Sequence, residues 1–432
     1  MRPLLPILAC LVCSAGEFRA GAARINLDPP LGLPMVGYGA RNAQGVLDPL
    51  QARALVLSDG TRTLALVTLD LCFLFEVPEM EQIRAAVRPK GVDEVVFHAS
   101  HTHSAPSLPA NREAYAQAVQ KIEQVIAEAA AALEPARIGS GFGMTYIGHN
   151  RRRALPDGSM EMLWRDEPGV STSPVDPTVG VIRINHADGK PLAILVNYAC
   201  HPVVLGPDNL KYSADYPGEM RNAIEEALGG TAFFLQGAPG DINPFYDKTT
   251  LEEDAVAAMK QTGRKLAAEA VRVAGGIQPR TPGTASVTSK TTVVHANSRW
   301  NLPLLREVLQ ARYHLEPSRA TRLLRESMDL PVTTLLLNSD IAFVTMPGEP
   351  FVEFQTQLRA KSPLPNTFFL GYTNGYFAYF PTIAAAVRGG YGADSTVTMV
   401  EVGTGERMLN TGIVLLYELL GKLPAKPAKG EW

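Results

Sequence analysis

Two histidines stand one residue apart, His101 and His103, just after the apolar run Val95-Val96-Phe97 gives out. Four more apolar runs end in a similar way. "AILVNYA" leads to Cys200-His201-Pro202, "AFFLQG" to Asp241 and Asn243, "IAFVTM" to Pro347-Gly348-Glu349, and "TFFLG" to Asn374, Tyr376 and Tyr379. Rigid strands aim the residues at their carboxyl ends, and layered α/β folds bind ligands there. Any one of these groups, taken alone, is a satisfied core residue or a turn residue. Taken together, two imidazoles, a carboxylate and a phenol suit Zn²⁺. On an extended chain the i, i+2 spacing of His101 and His103 points both rings the same way. Spacing alone leaves open whether both ligate or one faces a substrate. There is no HExxH or CxxC set, so no local motif decides the matter.

The strands that must position these groups alternate with helices along the chain. "ARALVLSD" and "TLALVTLDL" predict two strands joined by the turn Asp59-Gly60. Glu79 to Val87 predicts a helix and "DEVVFHAS" a strand. Asn111 caps a further helix, in which Tyr115, Val119, Ile122, Ile126 and Leu133 recur at three- to four-residue steps. Hairpins turn at Asp188-Gly189 and at Asn338 to Asp340. Helices are also predicted at Glu219 to Leu228, Leu251 to Ala274 and Glu406 to Leu420. No repeat of fixed period is visible. Hairpins require antiparallel pairs, so the expected fold is α/β: a layered sandwich of mixed sheets flanked by helices, in one catalytic domain.

A chain of 432 residues is enough for one large core. With 46% hydrophobic and 19% charged residues the composition is globular. A net charge of −3 gives no basis for nucleic-acid binding. Arg2, the apolar stretch Leu4 to Val12 and the small residues of "AGAAR" predict a secretory signal peptide over residues 1–23, cut near Ala20 to Ala23. The protein is then secreted or periplasmic, with its domain over 24–421 and a Pro- and Lys-rich tail over 422–432. Cys10 and Cys13 fall in the leader. Cys72 and Cys200 read as small buried residues rather than a disulfide framework.

Seven segments, in chain order, resemble the successive motifs of the neutral ceramidases, zinc-dependent amidases that hydrolyse the N-acyl bond of ceramide. They are "PMVGYGARNAQGVLDPLQARALVL", "ASHTHSAP", "HNRRRA", "ACHPVVLGPDNLKYSADYPGEM", "QGAPGDINP", "MPGEP" and "TNGYFAYFPT". Each is short, but seven in order are specific. The resemblance covers the family's catalytic unit and not the Ig-like domain that often follows it. It implies one Zn²⁺ held by His101, His201, Glu349 and Tyr379, with Tyr376 the other phenol of the same motif. It places His103 and Arg151 near the scissile amide. Two departures stand out. The family's reactive Ser, in Gly-Asp-Val-Ser-Pro, is Asn243 here, and its Glu-Glu-Tyr stretch is Ala384-Ala385-Ala386.

Asparagine is not a nucleophile at neutral pH, which closes an acyl-serine route at position 243. The expected activity is hydrolysis of an N-acyl bond, in ceramide or a related lipid or small-molecule amide, by water activated on Zn²⁺ to a pKa near ~7. His103 or Arg151 is expected to donate to the oxyanion, and Asn243 to orient the water or donate its amide N–H₂. Asp241 is expected to take a proton or orient a ligating histidine. Asp70 and Asp215 are further acceptors or caps, and Arg152 and Arg153 a solvated basic face. Peripheral membrane contact and oligomeric state stay open. So do a non-lipid amide or ester as substrate, and an inactive ligand-binding homologue.

Overall fold

The computed structural model describes residues 16–27, 29–166, 169–300, 303, 325–394 and 397–423. One order of elements recurs three times along it. The first pass is β1 (Arg19–Asn26), β2 (Gln51–Ser58), β3 (Thr63–Leu69), α1 (Val77–Val87), β4 (Glu94–Ala99) and α2 (Arg112–Ala131). The second is β5 (Glu134–Met144), β6 (Thr178–His186), β7 (Pro191–Tyr198), α3 (Tyr216–Leu228), β8 (Thr231–Gln236) and α4 (Ala255–Gly276). The third is β9 (Val287–Asn297), β10 (Ser327–Leu337), β11 (Ile341–Thr345), α5 (Val352–Lys361), β12 (Asn366–Leu370) and α6 (Thr404–Leu419).

In every pass the first three strands pair antiparallel, and the third pairs parallel with the fourth across a helix. A short ladder between β1 and β5 fuses the first two passes into one sheet of order β8-β7-β6-β5-β1-β2-β3-β4. The third pass makes a four-stranded sheet, β9-β10-β11-β12. The sequence shows no fixed period because the chain between the first and second strands differs in length from pass to pass, over residues 27–50, 145–177 and 298–326.

The three expected hairpins are present. Gly60 and Gly189 take φ of +85° and +92°, and Asn338 and Ser339 take +53° and +56°, the left-handed backbone that tight hairpin turns need. The two sheets face each other over one core that includes Leu55, Leu57, Leu66, Ile182, Leu195, Phe233, Leu335, Phe343 and Phe368. Alternate residues of β2, Ala54 and Val56, point the other way into a core with Ile122 and Val125 of α2. Burial on both faces is why these strands read as continuous apolar runs. The result is the expected layered α/β sandwich of mixed sheets with helices outside.

Two helix boundaries differ from expectation for local reasons. The helix expected from Leu251 is a short 3₁₀ turn at Leu251–Glu253, followed by α4. Asp254, at φ +57°, breaks the run and caps Ala257. Helix α3 starts three residues early because Asp215 caps Tyr216.

Residues 1–15, with Cys10 and Cys13, and residues 424–432 lie outside the described residues. The expected leader boundary at residue 23 falls within β1. Phe18 and Ala20 are buried, and β1 pairs with β2 from Arg19↔Ser58 to Asn26↔Gln51. A cut between Ala20 and Ala23 removes up to five of the eight residues of this strand and the pairs that join β1 to β5. A cut before Gly16 leaves it whole. A chain beginning at residue 24 is therefore expected to lose about 3 kcal/mol or more relative to one beginning at Gly16, the scale of deleting a buried aromatic side chain. Urea unfolding of the two chains checks this.

Candidate metal centre

The third and fourth strands of all three passes run out toward one place. Cys72 follows β3, His201 follows β7 and Glu349 follows β11. His101 and His103 follow β4, Asp241 and Asn243 follow β8, and Tyr372, Tyr376 and Tyr379 follow β12. His101, His201 and Glu349, all buried, bring one ligand atom each to within 4.8 Å of one another. His201 Nε2 is 3.2 Å from Glu349 Oε2, and His101 Nε2 is 3.6 Å from the same oxygen.

The other nitrogen of each ring fixes the chemistry. His101 Nδ1 donates to the carbonyl of Cys72 at 2.8 Å, and His201 Nδ1 donates to the carbonyl of Ile242 at 3.0 Å. A carbonyl only accepts, so the proton sits on Nδ1 and the neutral ring offers a lone pair at Nε2. Burial holds His101 down to about 4, so this ring is neutral near pH 7. Burial pushes Glu349 up, but the imidazoles of His101 and His201 beside it and the Tyr376 hydroxyl outweigh that and leave the carboxyl below its usual range. Three buried acceptors then converge, an arrangement that suits a cation, with His103 Nε2 3.1 Å from His101 Nε2 and the Tyr376 hydroxyl on Glu349 as the nearest other polar groups. A tetrahedral ion bound at ~2.1 Å sets its ligand atoms about 3.4 Å apart, close to the observed 3.2 and 3.6 Å. The three residues fit a metal ion.

His101 sits at φ +70°, rare for a residue with a side chain and typical of strained functional positions. The chain at His101-Thr102-His103 is thus not extended, and the premise that both rings point the same way fails. His103 Nε2 lies 3.1 Å from His101 Nε2. It groups with Cys72 and His101, and not with His201 and Glu349. Its ring packs on Gly37, where a Cβ would fall 2.3 Å from His103 Cγ and φ is +91°, so only glycine fits there. His103 Nδ1 is buried without a partner.

The two phenols lie to different sides of Glu349. Tyr376 donates its hydroxyl to Glu349 Oε1. Tyr379 pairs with Glu349 through the backbone, and its hydroxyl accepts from Arg151 Nη2 at 3.2 Å. Arg151 also donates to the Gly240 carbonyl at 2.7 Å and to Asn243 Oδ1 at 3.1 Å. Its guanidinium packs over the rings of Tyr391, Trp164 and Tyr379, at 5.0, 5.4 and 5.5 Å. Burial works against the charge, but Tyr379, Tyr391 and Glu349 more than compensate, so Arg151 stays charged. Its Nε is buried without a partner. Asn243 is held at both ends, since its Nδ2 donates to Asp247 at 2.8 Å.

Several expectations change. Asp241 does not orient a ligating histidine, because carbonyls do that work. Its oxygens accept from Asn150 Nδ2 at 2.7 Å and from the Val352 amide at 2.8 Å, which ties the start of α5 to residue 150. With both oxygens engaged it is placed as a structural acceptor rather than a base. Arg152 is no solvated residue: it is buried, lies over the Phe351 ring and donates to the carbonyls of Gly389, Tyr391 and Ala385. Arg153 does lie at the surface, 3.4 Å from Glu161. Asp70 makes a buried two-pronged pair with Arg221, at 2.6 Å twice, and Asp215 is a cap. Cys72 and Cys200 are buried and free. Ala384-Ala385-Ala386 lie in a short surface helix, Ile383–Arg388, just before Tyr391. Trp164, Tyr391, Asp247 and Lys248, which surround Arg151 and Asn243, were not legible as site residues. Their partners are distant in the chain, and no spacing rule links them.

Two carboxyls, the buried Asp215 and the Asp48 that holds Ser213 and Ala214, make stability depend on pH. Burial pushes Asp215 up to about 7 and Asp48 up to about 6. In the folded chain both hold protons that the unfolded chain, with carboxyls near ~3.9, has released. Stability should therefore fall as pH rises from about 4 toward about 7, then level off. Urea midpoints across that range should show the fall, and Asp215→Asn, which keeps a capping side chain, should flatten it.

No family model matches the chain. Neutral ceramidase B of Dictyostelium discoideum is 25% identical over 241 residues, 47% of this chain and 33% of that protein. Neutral ceramidase A of the same organism is 25% identical over 242 residues, 49% of this chain and 33% of that protein. The chain thus spans about a third of the length of the curated relatives it matches. Among solved structures, neutral ceramidase from Pseudomonas aeruginosa superposes with a TM-score of 0.76 at 19% identity, over 95% of this chain and 76% of that one. A ceramidase complexed with C2 superposes at 0.75 and 18% identity, over 96% of this chain and 77% of that one. The fold is that of the neutral ceramidases, and the sequence relatives carry the same name, as the seven motifs led us to expect.

Proposed function

We propose that this chain is a zinc-dependent amidohydrolase that cleaves an N-acyl bond, in ceramide or a related N-acyl compound. One observation carries the reading: the Nε2 lone pairs of His101 and His201 and the Glu349 carboxylate meet in a buried site, with both Nδ1 protons committed to carbonyls. This nitrogen and oxygen donor set suits zinc, and Tyr379 is the fourth protein ligand we assign. Bound there, zinc supplies a Lewis acid for the amide carbonyl and brings the pKa of water to about 7.

The chain's own residues supply the rest. Arg151 is fixed by three acceptors and an aromatic cage, and its Nε–H, buried and unpaired, is the donor available to a substrate oxygen. His103 Nδ1, which faces Gly37, and the Tyr372 hydroxyl are also buried without partners. Asn243 holds Arg151 rather than attacking. Asn243→Ala should accordingly lower kcat by roughly tenfold, through a loosened Arg151. Steady-state kinetics on one amide substrate reads this out.

The test of the activity is a panel of fluorogenic N-acyl amides and matched esters with the zinc-loaded protein. Hydrolysis of amides is the expected result. No turnover of any amide would favour a ligand-binding homologue, and turnover of esters alone would move the reaction class. Export also belongs to this reading, with a leader cut before Gly16. Amino-terminal sequencing of the secreted protein reports the cut. The exposed side chains of Ile383 and Val387, the latter 82% exposed, give a place for peripheral contact with lipid.

A further inference from the structure

Beside the metal centre lies an apolar cavity of about 260 Å³. Its wall is continuous with the centre. The Phe73 ring stands 4.3 Å from the Tyr376 ring and 6.1 Å from that of His101, and the Leu71 carbonyl accepts from the His101 amide at 2.9 Å. Val36, on the other side, precedes the Gly37 that packs against His103. Leu74 and Leu108 line the interior, and the Phe75 and Tyr115 rings stack 5.1 Å apart as part of its lining. The larger cavities are different. The one of about 970 Å³ is lined by Arg272, Arg280, Asn338 and Asp340 at the hairpin end of the sheets, the opposite end of β11 from Glu349.

We infer that this cavity takes the hydrocarbon chain of a medium-chain N-acyl substrate and is filled by about an octanoyl group. The inference rests on the proposed amidohydrolase reading. Apolar lining next to a polar reacting centre favours a chain attached close to the scissile bond. At ~30 Å³ per water-sized group, the volume holds roughly eight or nine methylenes. A long ceramide chain exceeds it and must leave its remainder in water.

The test measures kcat/KM of the zinc-loaded protein on acetyl, butanoyl, hexanoyl, octanoyl, dodecanoyl and palmitoyl amides of one fluorogenic amine. Each methylene that enters the cavity should raise kcat/KM by up to about fourfold. The rise should stop near octanoyl. Ser107→Trp and Leu74→Trp each place an indole in the cavity from a different lining residue. Ser107 caps no helix through its side chain, so the first change removes no cap hydrogen bond. Both variants should keep acetyl turnover within about twofold and lose at least about tenfold on octanoyl. A preference that climbs unbroken to palmitoyl, or a chain-length profile unmoved by both variants, overturns the inference while leaving amide hydrolysis in place. If no amide is turned over, the proposed activity fails instead. Calorimetric binding of octanoate then still decides the cavity: weaker binding in both variants supports it, and unchanged or absent binding defeats it.

Discussion

Replacing His201 by alanine is expected to leave a folded protein that holds no zinc and hydrolyses N-acyl amides at least about 10³-fold more slowly. Loss of an outer-shell partner typically costs only 10- to 100-fold in metal affinity or activity, so a directly ligating imidazole must cost more. The geometry explains the size of the effect. His201 Nε2 is 3.2 Å from the Glu349 oxygen, and its Nδ1 is anchored on Ile242, so its lone pair is held at the centre. Cys72 is the informative control, because it stands at the end of β3 where His201 stands at the end of β7. The Cys72 carbonyl receives the bond from His101 Nδ1 at 2.8 Å, and the thiol stands further off at 3.5 Å. Cys72→Ser should therefore retain zinc and most activity. Metal analysis and circular dichroism of the two variants, alongside kinetics, separate lost ligation from lost folding.

Arg151→Met should lower kcat by about 10²- to 10³-fold with a much smaller change in KM, the pattern of a donor that matters most in the transition state. Arg151→Lys should not restore it. A lysine ammonium lacks the planar fork that reaches the Gly240 carbonyl, Tyr379 and Asn243 together. Zinc content should stay near one per chain in both variants, which distinguishes this effect from that of His201→Ala. If Arg151→Lys recovers full kcat, the charge alone suffices and the fixed geometry of the guanidinium is irrelevant.

The sequence displayed the strands, the hairpin turns and the polar residues at strand ends, because each rests on local chemistry. Apolar runs, Asp-Gly turns and a His-Thr-His step can all be read within ten residues. It also placed His101, His201 and Glu349 in one group, through motifs met in order. It hid what depends on distant partners. The threefold order of strands was masked by the unequal stretches after each first strand. The left-handed φ of His101 could not be seen, and with it went the argument that both rings share one direction. Asp241 was assigned to the histidines, yet backbone carbonyls hold those rings, and carbonyls leave no mark on a sequence. Arg152 looked like surface charge beside Arg153, and only the loop over residues 385–391 shows why it is buried. Trp164 and Tyr391 frame Arg151 from segments 13 and 240 residues away along the numbering, a relation that folding alone creates.

The most direct measurement is the metal content of the purified protein, taken with N-acyl amide hydrolysis before chelation, after it, and after zinc is returned. About one zinc per chain is expected, with hydrolysis lost as the metal leaves and regained as it comes back. Undiminished hydrolysis by protein stripped of metal would contradict the account at its root.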